Sequence, residues 1–369
     1  MGDRLREAQA VNAMGTVLYA QGDLEAARRK FEQALELSQA IGSSADEALA
    51  MSNLGSVLAA RGELAEARRH QNDAFVALLQ AESSSQAATA LAAWSGTVAR
   101  LGDPRSAWLR SAQALTAKRR AGDRIGAGRV LGLRSWLAYE MGDLAASRAL
   151  AEEQLRLAGE TGARSLAAWA LLNLGRVDFA AGDVAAARQL FERSLRASSD
   201  LGEQPRAMEA RLELAGLALF EDRSGATLSI AREAANWYRS RRMPAGEARA
   251  LALLAEAFLR QGLEEEARKA ARSARAELER GEDREARISV AVRLARVEAG
   301  LGRPEEAVLL LRHASEDAAR SGFAASGLEA RLALAEIQSR LRDPAAAAAL
   351  TAVREEAKAL GFKRLAASS

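Results

Sequence analysis

The chain contains no cysteine, two histidines and few aromatics, which make up 4% of residues. Without cysteine there are no disulfides, thiolate metal sites or thiol redox switches. His70 and His313 occupy different phases of distant segments, so they form no metal pair and are expected at the surface. The glycines occur singly, with no Gly-rich phosphate loop and no dinucleotide fingerprint. No cofactor is therefore expected, and no enzymatic activity.

Long apolar runs are also missing. The longest uncharged stretch, 83–99, is short and rich in Ser, Gln and Thr, so it does not qualify as a membrane span. The N-terminal ten residues are charged and lack the apolar core of a signal peptide. Arg6 stands where a myristoylation signal needs Ser or Thr. A soluble, cytoplasmic protein with no membrane contact is expected. Charge of one sign is not concentrated either: 52 basic residues face 49 acidic ones, for a net +3. Arg and Glu interleave along most segments, the pattern of solvated helix faces. Basic clusters such as Lys118-Arg119-Arg120 are short and sit at helix ends, where they complement the dipole. Nucleic acid is not an expected partner.

What is abundant is Ala, Leu, Glu and Arg, which favour helix throughout. The dominant feature is a repeat of 40 residues. Gly22, Gly62, Gly102, Gly142, Gly182, Gly262 and Gly302 share one column, which Asp222 and Arg342 interrupt. Glycine just past a helix closes the last turn in the left-handed conformation. The neighbouring Asp or Glu can cap the next helix, and Pro104, Pro304 and Pro344 follow in a column where proline lacks no needed hydrogen bond. A second glycine column, Gly42, Gly122, Gly162, Gly202 and Gly322, marks the other turn, with Gly281 and Gly361 offset by one. Two helices per repeat follow.

Two further columns hold only small residues. One runs from Gly15 and Gly55 to Ala335, the other from Ala27 and Ala67 to Ala347. Small side chains there let paired helices approach closely. Just before the first column, Met14, Leu54, Trp94, Leu174, Leu214, Leu254, Leu294 and Leu334 should fill the core, and Arg134 breaks the series. The expected organisation is one solenoid over 3–362, with repeats near 3–42, 43–82, 83–122, 123–162, 163–202, 203–242, 243–282, 283–322 and 323–362, and a tail at 363–369. Repeat six departs from the pattern at 220–225 and 240–244, the mark either of a change of pitch or a hinge or of a harmless loop variation.

These columns resemble the tetratricopeptide repeat family, most closely in 51–68 and 171–188, where the Leu-Gly pair, the Gly-Asp or Gly-Glu turn and the small residue of the second helix match. The 40-residue spacing exceeds the family's basic 34. It is similar to the longer-helix variants of kinesin light chains and of bacterial regulators resembling the maltose activator. The resemblance implies an all-α, right-handed α-solenoid superhelix of nine helix-turn-helix repeats, with first helices lining a concave groove and second helices outside. Nine repeats are expected to make roughly one superhelical turn. It also implies a non-catalytic interaction scaffold that holds a peptide or helix of a protein partner.

On the first helix, residues one and four past the small column, and two, three and six before it, are expected to face the groove. In repeats four and five these positions collect Arg129, Leu133, Trp136, Tyr139, Trp169, Asn173, Arg176 and Phe179. Aromatic and Arg side chains are the types that dominate binding energy; packing between neighbouring helices is the alternative for Trp136 and Trp169. Asn53 and Asn173 share a column where family members can hydrogen-bond a ligand backbone. The Lys and Asn pattern that clamps a C-terminal carboxylate is not evident. Toward the C-terminus the same face carries Glu213, Arg249, Glu256, Arg293, Arg296, Glu329 and Glu336, either a polar ligand track or ion pairs between repeats. A second reading takes the chain as the sensor region of a larger bacterial signalling protein, a transcription activator or Ser/Thr kinase, since it begins and ends at repeat boundaries without a polar capping helix. The excess of Arg over Lys points to a GC-rich bacterial source.

Overall fold

A computed structural model describes residues 2–367; Met1, Ser368 and Ser369, the last two in the expected tail, lie outside the described residues. The first four repeats comprise α1 (Gly2–Ala20), α2 (Leu24–Ile41), α3 (Ser44–Ala60), α4 (Leu64–Gln80), α5 (Ser84–Arg100), α6 (Pro104–Arg120), α7 (Arg124–Glu140) and α8 (Leu144–Thr161). The next three comprise α9 (Arg164–Ala181), α10 (Val184–Asp200), α11 (Gln204–Phe220), α12 (Ser224–Ser240), α13 (Pro244–Arg260) and α14 (Glu264–Glu279). The chain continues through α15 (Arg284–Gly300), α16 (Pro304–Ser321), α17 (Ala324–Arg340), α18 (Ala346–Ala359) and the single turn α19 (Lys363–Ala366). The described residues contain no strand. The chain is an α-solenoid.

Turn chemistry follows the glycine column. At the first turn, Gly22 has φ +79°, its N–H donates to the Tyr19 carbonyl, and the Asp23 N–H donates to the Leu18 carbonyl, the pattern that closes a helix through a left-handed residue. Asp23, Asp103, Asp143 and Asp183 then accept from the backbone N–H three residues on. Where the column breaks, Asp222 and Arg342 take the same left-handed conformation, at φ 57° and 60°. Repeat six accordingly keeps its register. Its turns are as tight as the others, with Asp222 and Arg242 in the glycine conformation, a loop variation rather than a hinge.

The two small columns meet face to face. Ser135 donates from Oγ to the Ser147 carbonyl and Thr227 from Oγ1 to the Ala215 carbonyl. Where the first column is glycine, the space is taken by a larger side chain from the second helix. A Cβ on Gly15 would lie 2.5 Å from the Phe31 ring, and one on Gly175 would lie 2.5 Å from Phe191. Arg134, the break in the leucine series, stacks on Trp108 with its guanidinium carbon 3.6 Å from the ring centroid, and its Nη1 donates to the Trp108 carbonyl at 2.8 Å.

Odd-numbered helices form the inner layer: each touches the next odd helix as well as its even neighbours. Their contacting column is mostly alanine, Ala50, Ala90, Ala170, Ala210, Ala250 and Ala330, all fully buried. The array curls tighter than expected. The turns closing α1, α3, α5 and α7 meet the second half of the chain. A Cβ on Gly22 would lie 2.7 Å from Trp237, on Gly62 3.0 Å from Pro244, on Gly102 2.6 Å from Arg284 and on Gly142 3.1 Å from Ala324. Paired residues are 183 apart in Arg100–Asp283 and 186 in Glu140–Ser326, about four and a half 40-residue repeats. Nine repeats therefore make about two turns, not one, and successive turns touch along a seam. The total accessible surface, 16292 Å², is only modestly above the roughly 14000 Å² of a compact monomer of this mass.

The seam also explains the glycine column. No atom would lie within 4 Å of a Cβ on Gly262 or Gly302, because no further turn follows them; the two non-glycine members, Asp222 and Arg342, also lie in this last stretch. The tail expected at 363–369 closes the seam: α19 contacts α9 and α17, Phe362 and Leu365 are buried, and the Phe362 ring meets Tyr139 edge-on at 5.9 Å.

Two glycines of matched backbone conformation test the closure. Gly22→Ala and Gly262→Ala both place a side chain at positive φ, each costing about 1 kcal/mol. Only Gly22→Ala should carry a further penalty of about 1–3 kcal/mol for displacing Trp237, read as an additional loss in chemical denaturation. Equal losses would argue against turn-to-turn contact.

Candidate partner-binding surface

The inner face is set by the odd helices, and its character changes along the axis. In the first turn, Gln9, Asn12, Ala13 and Thr16 of α1, Asp46 and Leu49 of α3 and Gln86 of α5 line a cavity of about 410 Å³. Asp46 accepts from Gln9 Nε2 at 3.2 Å, and the Asn53 amide donates to Asn12 Oδ1 at 2.9 Å. Amide, hydroxyl and carboxylate groups thus face a concave, half-open space. Selecting aromatic and Arg residues in the sequence passed over this polar stretch; its signal was the run of Gln, Asn and Thr in the same columns.

The expected groove residues continue these columns into α7 and α9 and divide into two groups. Arg129 is exposed, and Leu133, Trp136 and Trp169 are half-buried. Trp136 borders an apolar cluster with Ala99, Ala107 and Leu137. Trp169 packs over Gly132, where a Cβ would lie 2.8 Å from the ring, and the Arg206 guanidinium lies 5.0 Å from its centroid. The remaining four are held by the protein itself. Asn173 is buried and its Nδ2 donates to the Gly132 carbonyl at 3.0 Å, tying α9 to α7. Arg176 pairs with Glu213 at 2.7 Å. Tyr139 packs on Phe362, while Phe179 meets Phe220 edge-on at 5.6 Å under the Arg364 guanidinium.

The charged C-terminal stretch is largely paired between repeats. Arg293 meets Glu256 at 2.9 Å, in the same two columns as Arg176–Glu213 but with the signs exchanged. Arg249 pairs with Glu285, and Arg364 with Glu329 at 2.8 Å. Against the effect of burial, the charges of Arg364 and Arg296 hold the Glu329 carboxyl below its ordinary range. At the seam these groups crowd round Glu140, the buried last residue of α7, whose Oε2 accepts from Ser326 Oγ at 3.4 Å. Burial, reinforced by the Glu285 charge and opposed by Arg176 and Arg249, pushes its carboxyl up to about 8. His70 is half-buried and His313 exposed, both on outer helices.

A tetratricopeptide repeat family profile matches residues 6–80 and 127–200. Those two stretches carry tetratricopeptide repeats. Among solved structures, a Rap protein complexed with competence and sporulation factor superposes with a TM-score of 0.58 at 13% identity, covering 88% of this chain and 95% of that one. Yeast Tom70 aligns at a TM-score of 0.43 and 13% identity, over 96% of this chain and 92% of its own. A tetratricopeptide repeat protein from Parabacteroides merdae aligns at 0.39 and 14%, over 84% and 93%. At such identities the Rap likeness is one of fold. No curated protein matches in sequence. Among the described residues, no group of three or more potential ligands could hold a metal, and no helix is long and apolar enough to cross a membrane.

Glu140 makes the solenoid pH-sensitive. Its folded-state affinity for a proton exceeds that of the unfolded chain, so its contribution to stability is complete below the ordinary carboxylate range and is lost as pH rises through about 8. The melting temperature should fall between pH 6 and pH 9, and Glu140→Gln should flatten that fall. An unchanged slope in the variant would exclude this residue as the cause.

Proposed function

We propose that this protein is a non-catalytic interaction scaffold that holds a peptide or helix of a protein partner on the inner face of its first superhelical turn. The observation that carries the reading is the concave cavity lined by Gln9, Asn12, Thr16, Asp46 and Gln86. Arg129, Leu133, Trp136 and Trp169 extend the same columns along the wall. Concave surfaces of repeat arrays present many side chains to one extended ligand, and amide and hydroxyl groups there suit a peptide backbone. Half-buried Trp136 and Trp169 supply rigid apolar area at low entropic cost. Tyr139, Asn173, Arg176 and Phe179 take a supporting part: Tyr139 and Phe179 tie the wall to Phe362 and Arg364, and Asn173 and Arg176 tie neighbouring repeats together. The lack of cysteine and the outer positions of both histidines leave the inner face without a thiol or an imidazole.

Peptide display against the purified protein tests the reading. Selected peptides should lose at least tenfold in affinity against Asp46→Ala combined with Trp169→Ala, and keep it against Leu109→Ala on an outer helix. The opposite pattern would move the binding surface to the outside.

A further inference from the structure

We infer that the seam between the two superhelical turns is a latch, an element that opens and closes as a unit while the repeats on either side stay folded. Within a turn, neighbouring helices share long apolar faces, as α1 with α2 and α13 with α14 do. Across the seam, contact falls at helix ends, and its composition changes along its length. Both ends are apolar: Trp237 covers Gly22 at one, and Phe362 and Leu365 join Leu144 and Val177 at the other. The middle is polar; its hydrogen bonds centre on Arg100, Glu282 and Asp283, with Glu140–Ser326 further along.

Arg100, the last residue of α5, reaches in two directions. Its Nη1 donates to the Ala59 carbonyl at 2.9 Å in its own turn, and its Nε donates to Asp283 at 2.8 Å in the next. Asp283 is buried and also caps α15, accepting from the Ala286 N–H at 3.1 Å. Glu282 completes the clasp. Its carboxylate accepts from the Ala65 N–H at 2.6 Å, and its own N–H points to the Gly62 carbonyl at 3.4 Å. Glu63 makes no side-chain cap for α4, so a residue of the following turn caps that helix. The start of α4 gains its side-chain cap, and the buried Asp283 carboxylate its cationic partner, only while the turns are together.

A junction of this kind has two states rather than a continuum. Breaking it removes the directional bonds of the polar middle together with the apolar contacts of its two ends, such as Leu144 and Val177 with Leu328 and Phe362, whereas separating repeats within a turn exposes an apolar face along whole helices. Regions with few buried apolar contacts open at lower free energy than the global transition. Opening would bring water to Glu140 and Glu285 and free the inner helices of both turns to change curvature.

The absence of native cysteine allows spin labels to be placed without background. A cross-seam pair, Glu66→Cys with Glu279→Cys, is compared with a within-turn pair, Arg69→Cys with Leu109→Cys, by double electron–electron resonance. Asp283→Asn retains a capping side chain but removes the charge that Arg100 grips, and Glu282→Gln removes the second. In that double variant the cross-seam distance should lengthen by about 5 Å or more, the rise of one helical turn, while the within-turn distance is unchanged. In the labelled wild type, rising urea should broaden the cross-seam distribution before the within-turn one. A cross-seam distance unmoved by the double variant, or both pairs changing only together in urea, would overturn the latch.

Discussion

Contact between successive superhelical turns is the constraint on which the rest of the structure depends. Inner helices contact one another as well as their outer neighbours, and buried alanines such as Ala50, Ala90 and Ala250 let these elements approach closely. Once the curl brings residues some 183 positions apart together, every turn on that rim must be small enough to lie under the next coil. The glycine column then has two functions. It closes the helix through a left-handed residue, and in the first four repeats it leaves room for Trp237, Pro244, Arg284 and Ala324.

The same closure sorts the inner face. Around the seam, charged groups of neighbouring repeats are neutralised in pairs such as Arg176–Glu213 and Arg293–Glu256. Removing one partner of such a half-buried pair leaves its mate partly desolvated, so these residues are bound to the fold. Below the seam, the inner face of α1, α3 and α5 keeps its polar groups around open space. The proposed binding surface is the part of the groove that the fold does not use for itself.

Helices, turns and the close helix pair were legible in the sequence because they repeat. Gly22 with Asp23, and the small columns ending at Ala335 and Ala347, state the same local rule in successive repeats. The number of turns was not legible, since it depends on a small rotation summed over nine units and on contacts with no periodic signature. The breaks at Asp222 and Arg342 hold that information, but they mean nothing until the second turn is seen to lie beyond the first. For the same reason Tyr139 and Phe179 read as ligand-facing aromatics, whereas Phe362 and Arg364 occupy them. Periodicity locates the inner face; it does not say which stretches of that face another part of the chain will cover.

Solution scattering tests the two-turn closure most directly. A closed cylinder of two touching turns predicts a radius of gyration close to the roughly 21 Å of a compact chain of this length. A value several ångströms larger, with the profile of a single open ring, would contradict it.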